Sequence, residues 1–154
     1  MRIEFRQPSC FSDLRVLVDF LGKQNLGYPN YDDWVTRCLA ELDAGYKQAI
    51  IAYDGSKIVG NVIFQPHKEI SGVREIKNLR VAEDMRNRRF GAFLLRQAEW
   101  HDSASYHAIM ADFRADQSEI EKLLLDEGFV IAGVRTLYDE KQDKIALRTN
   151  RYQK

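Results

Sequence analysis

Residues 85–94, with the sequence MRNRRFGAFL, place three arginines and a glycine directly before an apolar segment of helical periodicity. The first turn of a helix leaves up to four backbone N–H groups without intrahelical partners, and the helix dipole adds about half a positive charge at that end. Both effects stabilise a bound anion. Arg86, Arg88 and Arg89 add N–H donors suited to phosphate oxygens, and Gly91 lets an anion approach the backbone closely. The pattern predicts an anion-binding turn.

The alternative interpretation of this stretch is a solvated basic loop. Cations are stabilising near the C-terminus of a helix, whereas at the N-terminus each one costs a few tenths of a kcal/mol unless an anion compensates. Three arginines at a helix start are therefore unfavourable without a ligand, and this favours the anion site.

The segment before this turn predicts the strand that would position it. Residues 73–81 alternate in character, which places one residue set on each face of a strand. The expected faces are Glu75, Lys77, Leu79 and Val81 on one side and Ile76, Asn78 and Arg80 on the other.

The remaining elements follow from periodicity and turn residues. Residues 48–53 and 57–64 are apolar runs joined through Asp54-Gly55, which is a strong hairpin signal. The predicted order of elements over the chain is β-α-α-β-β-β-α-β-α-β-β. That alternation predicts an α/β fold with a mixed, mostly antiparallel sheet of about seven strands and about four flanking helices. At 154 residues, a single domain over residues 1–154 is expected.

Composition narrows the classes of partner. Lys plus Arg and Asp plus Glu each number 23, so the net charge of zero gives no reason to expect a nucleic acid or a membrane surface as partner. The sequence contains no apolar run long enough to cross a bilayer and no signal-peptide pattern at its start, so a cytoplasmic protein is expected. Cys10 and Cys38 are expected to be free thiols. The three histidines lack ligand spacing, and no metal is expected.

Residues 81–95, VAEDMRNRRFGAFLL, resemble the pyrophosphate loop of the GNAT superfamily of N-acetyltransferases. In that family a strand ending in Val is followed by Arg/Gln-x-x-Gly-x-Gly/Ala and an amphipathic helix. Arg86 matches the Arg/Gln position and Gly91 the last Gly, whereas Arg89 stands where the first Gly is expected. If position 89 requires a positive φ, Arg costs roughly 1 kcal/mol there. Residues 122–129, KLLLDEGF, resemble the late helix of the family, and the element order is also the family's.

The resemblance implies acetyl-CoA as co-substrate, bound where the fourth and fifth strands splay apart. It implies that the backbone of Leu79 and Val81 pairs with the pantetheine arm and that an N–H near Leu79 polarises the thioester carbonyl. The backbone of residues 86–92 would cradle the pyrophosphate. The coenzyme residues implied in this way are Leu79, Arg80, Val81, Arg86, Asn87, Arg88, Arg89, Phe90, Gly91 and Ala92.

The resemblance also implies candidates for proton transfer. Glu75, six residues before the strand-ending Val81, stands where one branch of the family has its general base, although it could instead be a strand carboxylate paired with a neighbouring cation. The Tyr that usually protonates the thiolate is replaced by Leu124, so water, Tyr106 or Tyr138 would have to serve. Tyr28, Tyr31 and Trp34 lie in the segment that usually shapes the acceptor pocket, or they belong to the core. Arg148 and Arg151 are expected to be solvated charges.

The function that follows is an acetyl-CoA-dependent N-acetyltransferase in which a primary amine attacks the thioester directly. A catalytically silent acyl-CoA or nucleotide sensor on the same fold is the alternative, kept open by Leu124. A nucleic-acid-binding module using the arginine cluster is disfavoured by the zero net charge. The sequence names neither the acceptor amine nor the oligomeric state, for which a homodimer is one option.

Overall fold

The computed structural model describes residues 2–24, 27–86 and 89–152; two of the expected coenzyme residues, Asn87 and Arg88, lie outside them. The described residues form seven strands and four α-helices in the predicted order. Their bounds are β1 (Ile3–Arg6), α1 (Phe11–Gly22), α2 (Tyr31–Asp43), β2 (Gln48–Asp54), β3 (Lys57–Pro66), β4 (Val73–Val81), α3 (Phe90–Trp100), β5 (Ala108–Arg114), α4 (Ser118–Asp126), β6 (Val130–Arg135) and β7 (Asp143–Thr149).

The strands form one mixed sheet in the order β1-β2-β3-β4-β5-β7-β6. Only β4 and β5 are parallel, and the other neighbours are antiparallel. Leu17 and Leu21 of α1 and Val35 and Cys38 of α2 pack on one side of the sheet. The apolar residues of α3 and α4 pack on the other side, with Leu94, Leu95, Ala98 and Leu124 fully or almost fully buried. The predicted α/β fold is confirmed.

The parallel pair β4–β5 is joined over only part of its length. Residues 73–76 of β4 pair with residues 108–111 of β5, and the register ends at Ile76 and Ala111. Both strands continue beyond this point, to Val81 and Arg114, without pairing to each other. A cleft therefore opens in the middle of the sheet, between two strands that are both fully described.

A β-bulge at Lys77 changes the faces that strict alternation predicts for β4. On the neighbouring strand, Ile63 is opposite Asn78 and Phe64 is opposite Ile76, so Lys77 is the extra residue. Ile76, Leu79 and Val81 contact the core under α3 and α4. Glu75 therefore faces the α1–α2 side together with Asn78 and Arg80, and the expectation that it shares a face with Leu79 and Val81 is wrong.

The expectation that Arg148 and Arg151 are solvated charges is also wrong. Glu99 of α3 is fully buried and accepts hydrogen bonds from the guanidinium groups of both arginines. Arg151 also donates to Oε2 of Glu127 at 2.9 Å, and Arg96 donates to both oxygens of Glu127. This network ties α3 to the end of α4, to β7 and to the residues after it. Among the described residues, no helix is both long enough and apolar enough to span a membrane.

Candidate active site

The cleft between the diverging strands has a volume of about 550 Å³ and reaches both faces of the sheet. On the α3–α4 side its walls are apolar and include Leu79, Leu95, Phe113, Ile120 and Leu124. On the α1–α2 side the walls are polar and aromatic: Tyr28, Tyr31, Trp34, Glu75, Asn78, Arg80, Asp112, Arg114 and Tyr138. The bulge at Lys77 is what adds Glu75 to this polar side.

The backbone of Leu79 and Val81 faces the open edge of β4. Their carbonyl oxygens accept hydrogen bonds from the side chains of Arg80 (2.9 Å) and Arg86 (3.2 Å). Successive residues of a strand point their backbone groups to opposite sides, and the N–H of the next residue, Ala82, donates to the carbonyl of Val59 on β3 at 2.8 Å. Because the N–H and C=O of one strand residue point to the same side, the N–H groups of Leu79 and Val81 are directed towards the cleft. Arg80 turns its own backbone towards β3, so only its side chain is available to a ligand.

Helix α3 begins at the basic turn with a strained residue. Arg89 adopts the left-handed conformation, with φ 63° and ψ 15°, so position 89 has the positive φ for which Gly is the usual residue. Arg there costs about 1 kcal/mol. The first helical hydrogen bond runs from the N–H of Phe93 to the carbonyl of Arg89, at 3.2 Å. The side chain of the N-cap residue Arg89 makes no capping hydrogen bond, and the first turn of the helix contains no acidic residue.

The donors at this turn suit an anionic group of a coenzyme. The N–H groups of Phe90, Gly91 and Ala92 precede the first helical bond and have no intrahelical acceptor. A Cβ on Gly91 would meet only the Leu123 and Val81 side chains, at 3.5 Å or more, so neighbouring atoms do not exclude a side chain there. Because Gly91 has no side chain, the backbone N–H groups at this turn remain uncovered. The turn fits a diphosphate by its donors and its charge.

The predicted coenzyme residues fall into two groups. Leu79 and Arg80 line the cleft itself. Arg86, Arg89, Phe90, Gly91 and Ala92 lie outside its walls, at the start of α3, where Arg86 bonds to the end of β4 at Val81. The structure thus places the turn at one end of the open strand edge.

Glu75 lines the cleft and is held by two basic side chains. It is only 9% exposed. Its Oε1 lies 2.7 Å from Nζ of Lys77, and its Oε2 lies 3.3 Å from Nε2 of His67. The two expectations for Glu75, a base in the site and a strand carboxylate paired with a cation, are therefore both compatible with the geometry. Each oxygen of Glu75 therefore already has a basic partner.

Asp112 of β5 is a second carboxylate in the cleft, and sequence reasoning missed it. It alternates with the core residues Ala111 and Phe113, so it faces the α1–α2 side, as Glu75 does. Burial raises the pKa of Asp112, and a hydrogen bond from Tyr138 to its Oδ2, at 2.6 Å, partly opposes that shift. No cation within the described residues forms an ion pair with it. In the sequence, Asp112 could have been noticed as an acidic residue within an otherwise apolar strand, AIMADF.

The candidates for a general acid are separated by their positions. Leu124 is 2% exposed and forms part of the apolar wall. Tyr106 is buried outside the cleft, where its hydroxyl donates to the carbonyl of Glu99 at 2.6 Å. Tyr138 lines the cleft, and burial together with the nearby Asp112 carboxylate raises the pKa of its phenol, which therefore stays protonated at neutral pH. Of these three residues, Tyr138 alone places a proton donor in the cleft.

The aromatic residues near α2 belong to the core and also line the cleft. Tyr31 stacks on Trp34 with ring centroids 5.8 Å apart, and its hydroxyl donates to the carbonyl of Leu21 at 2.7 Å. Both residues belong to the core against α1 and α2, yet both also line the cleft. Tyr28 meets Tyr138 edge to face at 5.4 Å. Together the four rings form an aromatic wall on the α1–α2 side.

In the part of the chain that the structure describes, no group of three or more His, Cys, Asp and Glu side chains could hold a metal ion.

Comparisons with known proteins define the class to which this fold and cleft belong. The sequence profile of the Acetyltransferase (GNAT) family matches residues 15–129. The chain therefore belongs to the GNAT family of acetyltransferases, as the resemblance indicated, and is by class an acyltransferase. Comparison with curated protein sequences gives no match.

Solved structures share the fold at low sequence identity. An N-acetyltransferase from Staphylococcus aureus superposes with a TM-score of 0.80 at 14% identity, over 98% of this chain and 100% of that one. NAA60 from Arabidopsis thaliana, in complex with a bisubstrate analogue, gives 0.78 at 16% identity, over 96% and 98%. The ribosomal-protein-S18-alanine N-acetyltransferase from Escherichia coli gives 0.77 at 15% identity, over 97% and 94%. At such identities the likeness extends to the fold alone.

Proposed function

We propose that the protein transfers the acetyl group of acetyl-CoA to a primary amine by direct attack of the amine on the thioester. The observation that carries the proposal is the open edge of β4. Two backbone N–H groups, those of Leu79 and Val81, face a cleft that has an apolar wall on one side and, on the other, polar groups that include the carboxylates of Glu75 and Asp112. Such an arrangement can bind an extended amide-containing arm along the strand and take a proton from an amine beside it.

Acetyl-CoA would supply the activated acyl group, and the chain's own residues would position it. The amides of Leu79 and Val81 would bond to the pantetheine arm, and the N–H of Leu79 is suited to polarising the thioester carbonyl. The amides of Phe90, Gly91 and Ala92, with the guanidinium groups of Arg86 and Arg89, would hold the diphosphate. Asn87 and Arg88 belong to the same proposed set.

The acceptor needs a base because an alkyl amine of pKa about 10.4 is protonated at neutral pH. We assign this role to Asp112, which lies in the cleft with a raised pKa and forms no ion pair within the part of the chain that the structure describes. Glu75, the base implied by the resemblance, is the alternative, and its contacts with Lys77 and His67 are the reason for placing it second. Asp112 would take the proton of the amine directly or through a water.

The departing thiolate would be protonated by water or by Tyr138. A thiol of pKa about 8.5 is a tolerable leaving group without a dedicated acid, which fits a site that has Leu124 in place of the usual tyrosine. Tyr138 is the phenol that lines the cleft, but burial and the nearby Asp112 carboxylate raise its pKa and make it a weaker acid, which favours water as the proton source. The Escherichia coli neighbour is named for an alanine acceptor, and an amine acceptor is proposed for this chain as well.

The test combines coenzyme binding with turnover. In a thermal-shift measurement, acetyl-CoA at a hundred times its Kd should stabilise the fold by about 2.7 kcal/mol. In a thiol-release assay with a panel of primary amines, at least one amine should accelerate release over the rate with buffer alone. An unchanged melting temperature at millimolar acetyl-CoA would refute the proposal at its first step.

The same pair of measurements separates the enzyme from the silent sensor. The observation that favours a sensor is Leu124, because the usual proton donor is missing from that position. A sensor would give the thermal shift with acetyl-CoA but no thiol release with any amine in the panel.

A further inference from the structure

Arg80 places a positive charge in the cleft that the protein itself does not neutralise. Within the described residues, its side chain makes one hydrogen bond, from Nη1 to the carbonyl of Leu79, at 2.9 Å. Its Nε is inaccessible to solvent and has no acceptor. Among the ion pairs of residues 2–24, 27–86 and 89–152, none includes Arg80. A partly buried guanidinium without a counter-anion is unfavourable, because desolvation is not offset by a partner.

The other basic residues of the cleft wall that are buried or half-buried are already paired, whereas Arg37 and Lys68 are exposed cations at its rim. Arg114 binds the carboxylate of Asp139 through two hydrogen bonds, at 2.7 and 2.9 Å, and Lys77 binds Glu75. Arg80 is different because the groups that act on its charge most closely are the phenols of Tyr31 and Tyr28 and the cation of Arg86. Among the residues that the structure describes, its side chain therefore lies near aromatic rings and pairs with no carboxylate.

A bound water could satisfy the hydrogen bonds at this position but not the charge. Asn61, directly opposite Arg80 on β3, is fully buried and has its own orphan acceptor, Oδ1. Paired residues of adjacent strands have Cβ atoms about 5 Å apart, so one water could bridge Nε of Arg80 and Oδ1 of Asn61. Neutralising the guanidinium requires an anion, and a carboxylate matches its planar pair of donors.

The side of the sheet indicates which ligand brings that anion. Leu79 and Val81, on either side of Arg80, contact the core under α3, so Arg80 projects from the opposite face. Its neighbours there are Tyr28 and Tyr31, and Glu75 and Asp112 open to the same side. The diphosphate turn, in contrast, begins α3 on the other face. The anion at Arg80 therefore belongs to the acceptor rather than to the coenzyme.

We propose that Arg80 binds a carboxylate of the acceptor, so that the acceptor is an amino-acid-type molecule carrying its primary amine and a carboxylate together. The inference rests on the proposed acetyl transfer and specifies its substrate class. In the complex, the amine lies at Asp112 and Glu75, the carboxylate lies at Arg80, and the side chain of the acceptor lies against the aromatic wall of Tyr28, Tyr31, Trp34 and Tyr138.

The experiment uses product pairs, so that binding is measured without turnover and without an ionisable amine. N-acetyl-L-phenylalanine and N-acetyl-L-alanine are titrated calorimetrically into the CoA-saturated protein, each beside its C-terminal amide. We expect the carboxylates to bind about 10- to 100-fold more tightly than the amides, as for a charge-assisted hydrogen-bonded pair. In Arg80→Met this preference should disappear, and in Arg80→Lys it should persist in reduced form.

Two controls show whether the Arg80 variants act on the acceptor carboxylate specifically. Arg37→Met removes an exposed cation from the rim of the same cleft and should leave the carboxylate preference intact. The Kd of CoA should be the same in wild type and Arg80→Met. A fall in CoA affinity with the carboxylate preference unchanged would assign Arg80 to the coenzyme and overturn the inference.

The remaining outcomes separate this inference from the proposed function. Equal binding of carboxylates and amides to the wild type, or no binding of either carboxylate, overturns the inference even if thiol release occurs with other amines. A preference that depends on Arg80, found in a protein that releases no thiol, would support the carboxylate site and refute acetyl transfer.

Discussion

Two carboxylates of the cleft, Glu75 and Asp112, have surroundings that differ in a way that bears on catalysis. Glu75 has a lysine at one oxygen and a histidine at the other. Asp112 has a neutral phenol at one oxygen, and burial raises its pKa. A base works best when its pKa lies near the working pH, so an elevated carboxylate pKa is an advantage. This contrast is the reason for expecting Asp112, rather than Glu75, to take the proton.

Substituting each carboxylate should therefore have unequal effects on the dependence of kcat on pH. Asp112 is active as a base only above its pKa, so the wild-type rate should rise with pH through a value above the ordinary Asp pKa of about 3.9. Asp112→Asn should lower kcat by about 100-fold or more and remove this rise. Glu75→Gln should keep the rise. The profile is measured at saturating acceptor with two amines of different pKa, because a limb due to the amine moves with the amine.

The opposite result has a clear meaning. A flattened profile in Glu75→Gln together with an unchanged one in Asp112→Asn would assign the base to Glu75, as the family resemblance implied.

At the level of single residues, the sequence indicated the anionic turn better than it indicated the catalytic face. The arginines and Gly91 are contiguous, so their effect could be argued from a helix start alone. Glu75 was placed on the wrong face because one extra residue, Lys77, inverts the alternation of β4, and nothing in its sequence marks the bulge. Asp112 and Tyr138 are 26 residues apart and meet only through the pairing of β5, β6 and β7.

Among the elements, the start of α3 combines strain with an exposed set of donors. Arg89 stands in the left-handed conformation without a capping side chain, a choice that lowers stability. Strained residues persist where function requires them, and here the strained position adds a guanidinium to the proposed diphosphate turn.

Arg89→Gly should therefore make the protein more stable and the coenzyme site weaker. Removing the Cβ from a positive-φ position should raise the free energy of unfolding by about 0.5–1 kcal/mol, which is roughly 1–4 °C in Tm for a chain of this size. Loss of the guanidinium should raise the Kd of CoA several-fold. Arg89→Ala, the matched control, loses the same charge but keeps the strain, so it should show the weaker CoA binding without the gain in Tm. Equal Tm values for the two variants would contradict strain at position 89.

The order of elements was predictable because each is locally marked, by Asp54-Gly55 between β2 and β3 and by Gly128 after α4. The divergence of β4 from β5 was not predictable from local signals. Both strands read as continuous apolar or alternating runs past the residues where their pairing ends. The divergence is expected only from the resemblance to the GNAT family, whose fold is known to separate these two strands. The residues of β4 and β5 do not by themselves indicate it.

For the molecule as a whole, an ionic network around the buried Glu99 and Glu127 joins α3, the end of α4, β7 and the residues after β7. Arg151 donates to both Glu99 and Glu127. In addition, Arg148 donates to Glu99 and Arg96 donates to Glu127. The network connects elements far apart in sequence, and the lowered pKa of Glu127 shows that its arginine partners favour the ionised carboxylate. The arginines looked like solvated charges in the sequence because their partners lie 24 to 52 residues away.

The contribution of the ionised Glu127 carboxylate is measurable. The guanidinium groups of Arg96 and Arg151 outweigh its burial and hold the pKa of Glu127 below the ordinary value. A carboxylate with a lowered pKa in the folded state stabilises the fold above its unfolded pKa of about 4.3, and this contribution is lost as the pH falls through the folded value. Glu127→Gln should lower the free energy of unfolding by about 1–2 kcal/mol at pH 7, and the deficit should shrink as the pH approaches 3.

Urea unfolding of both proteins at pH 7, 5, 4 and 3 gives the difference directly. Asp126→Asn is the matched control, because it removes the neighbouring exposed pair of Asp126 with Lys122, whose side chains are 63% and 78% exposed. Such a pair contributes at most a few tenths of a kcal/mol, so this variant should follow the wild type at every pH. A Glu127→Gln deficit of the same size at pH 7 and pH 3 would mean that its ionisation does not hold the network together, and that packing alone joins α3, α4 and β7.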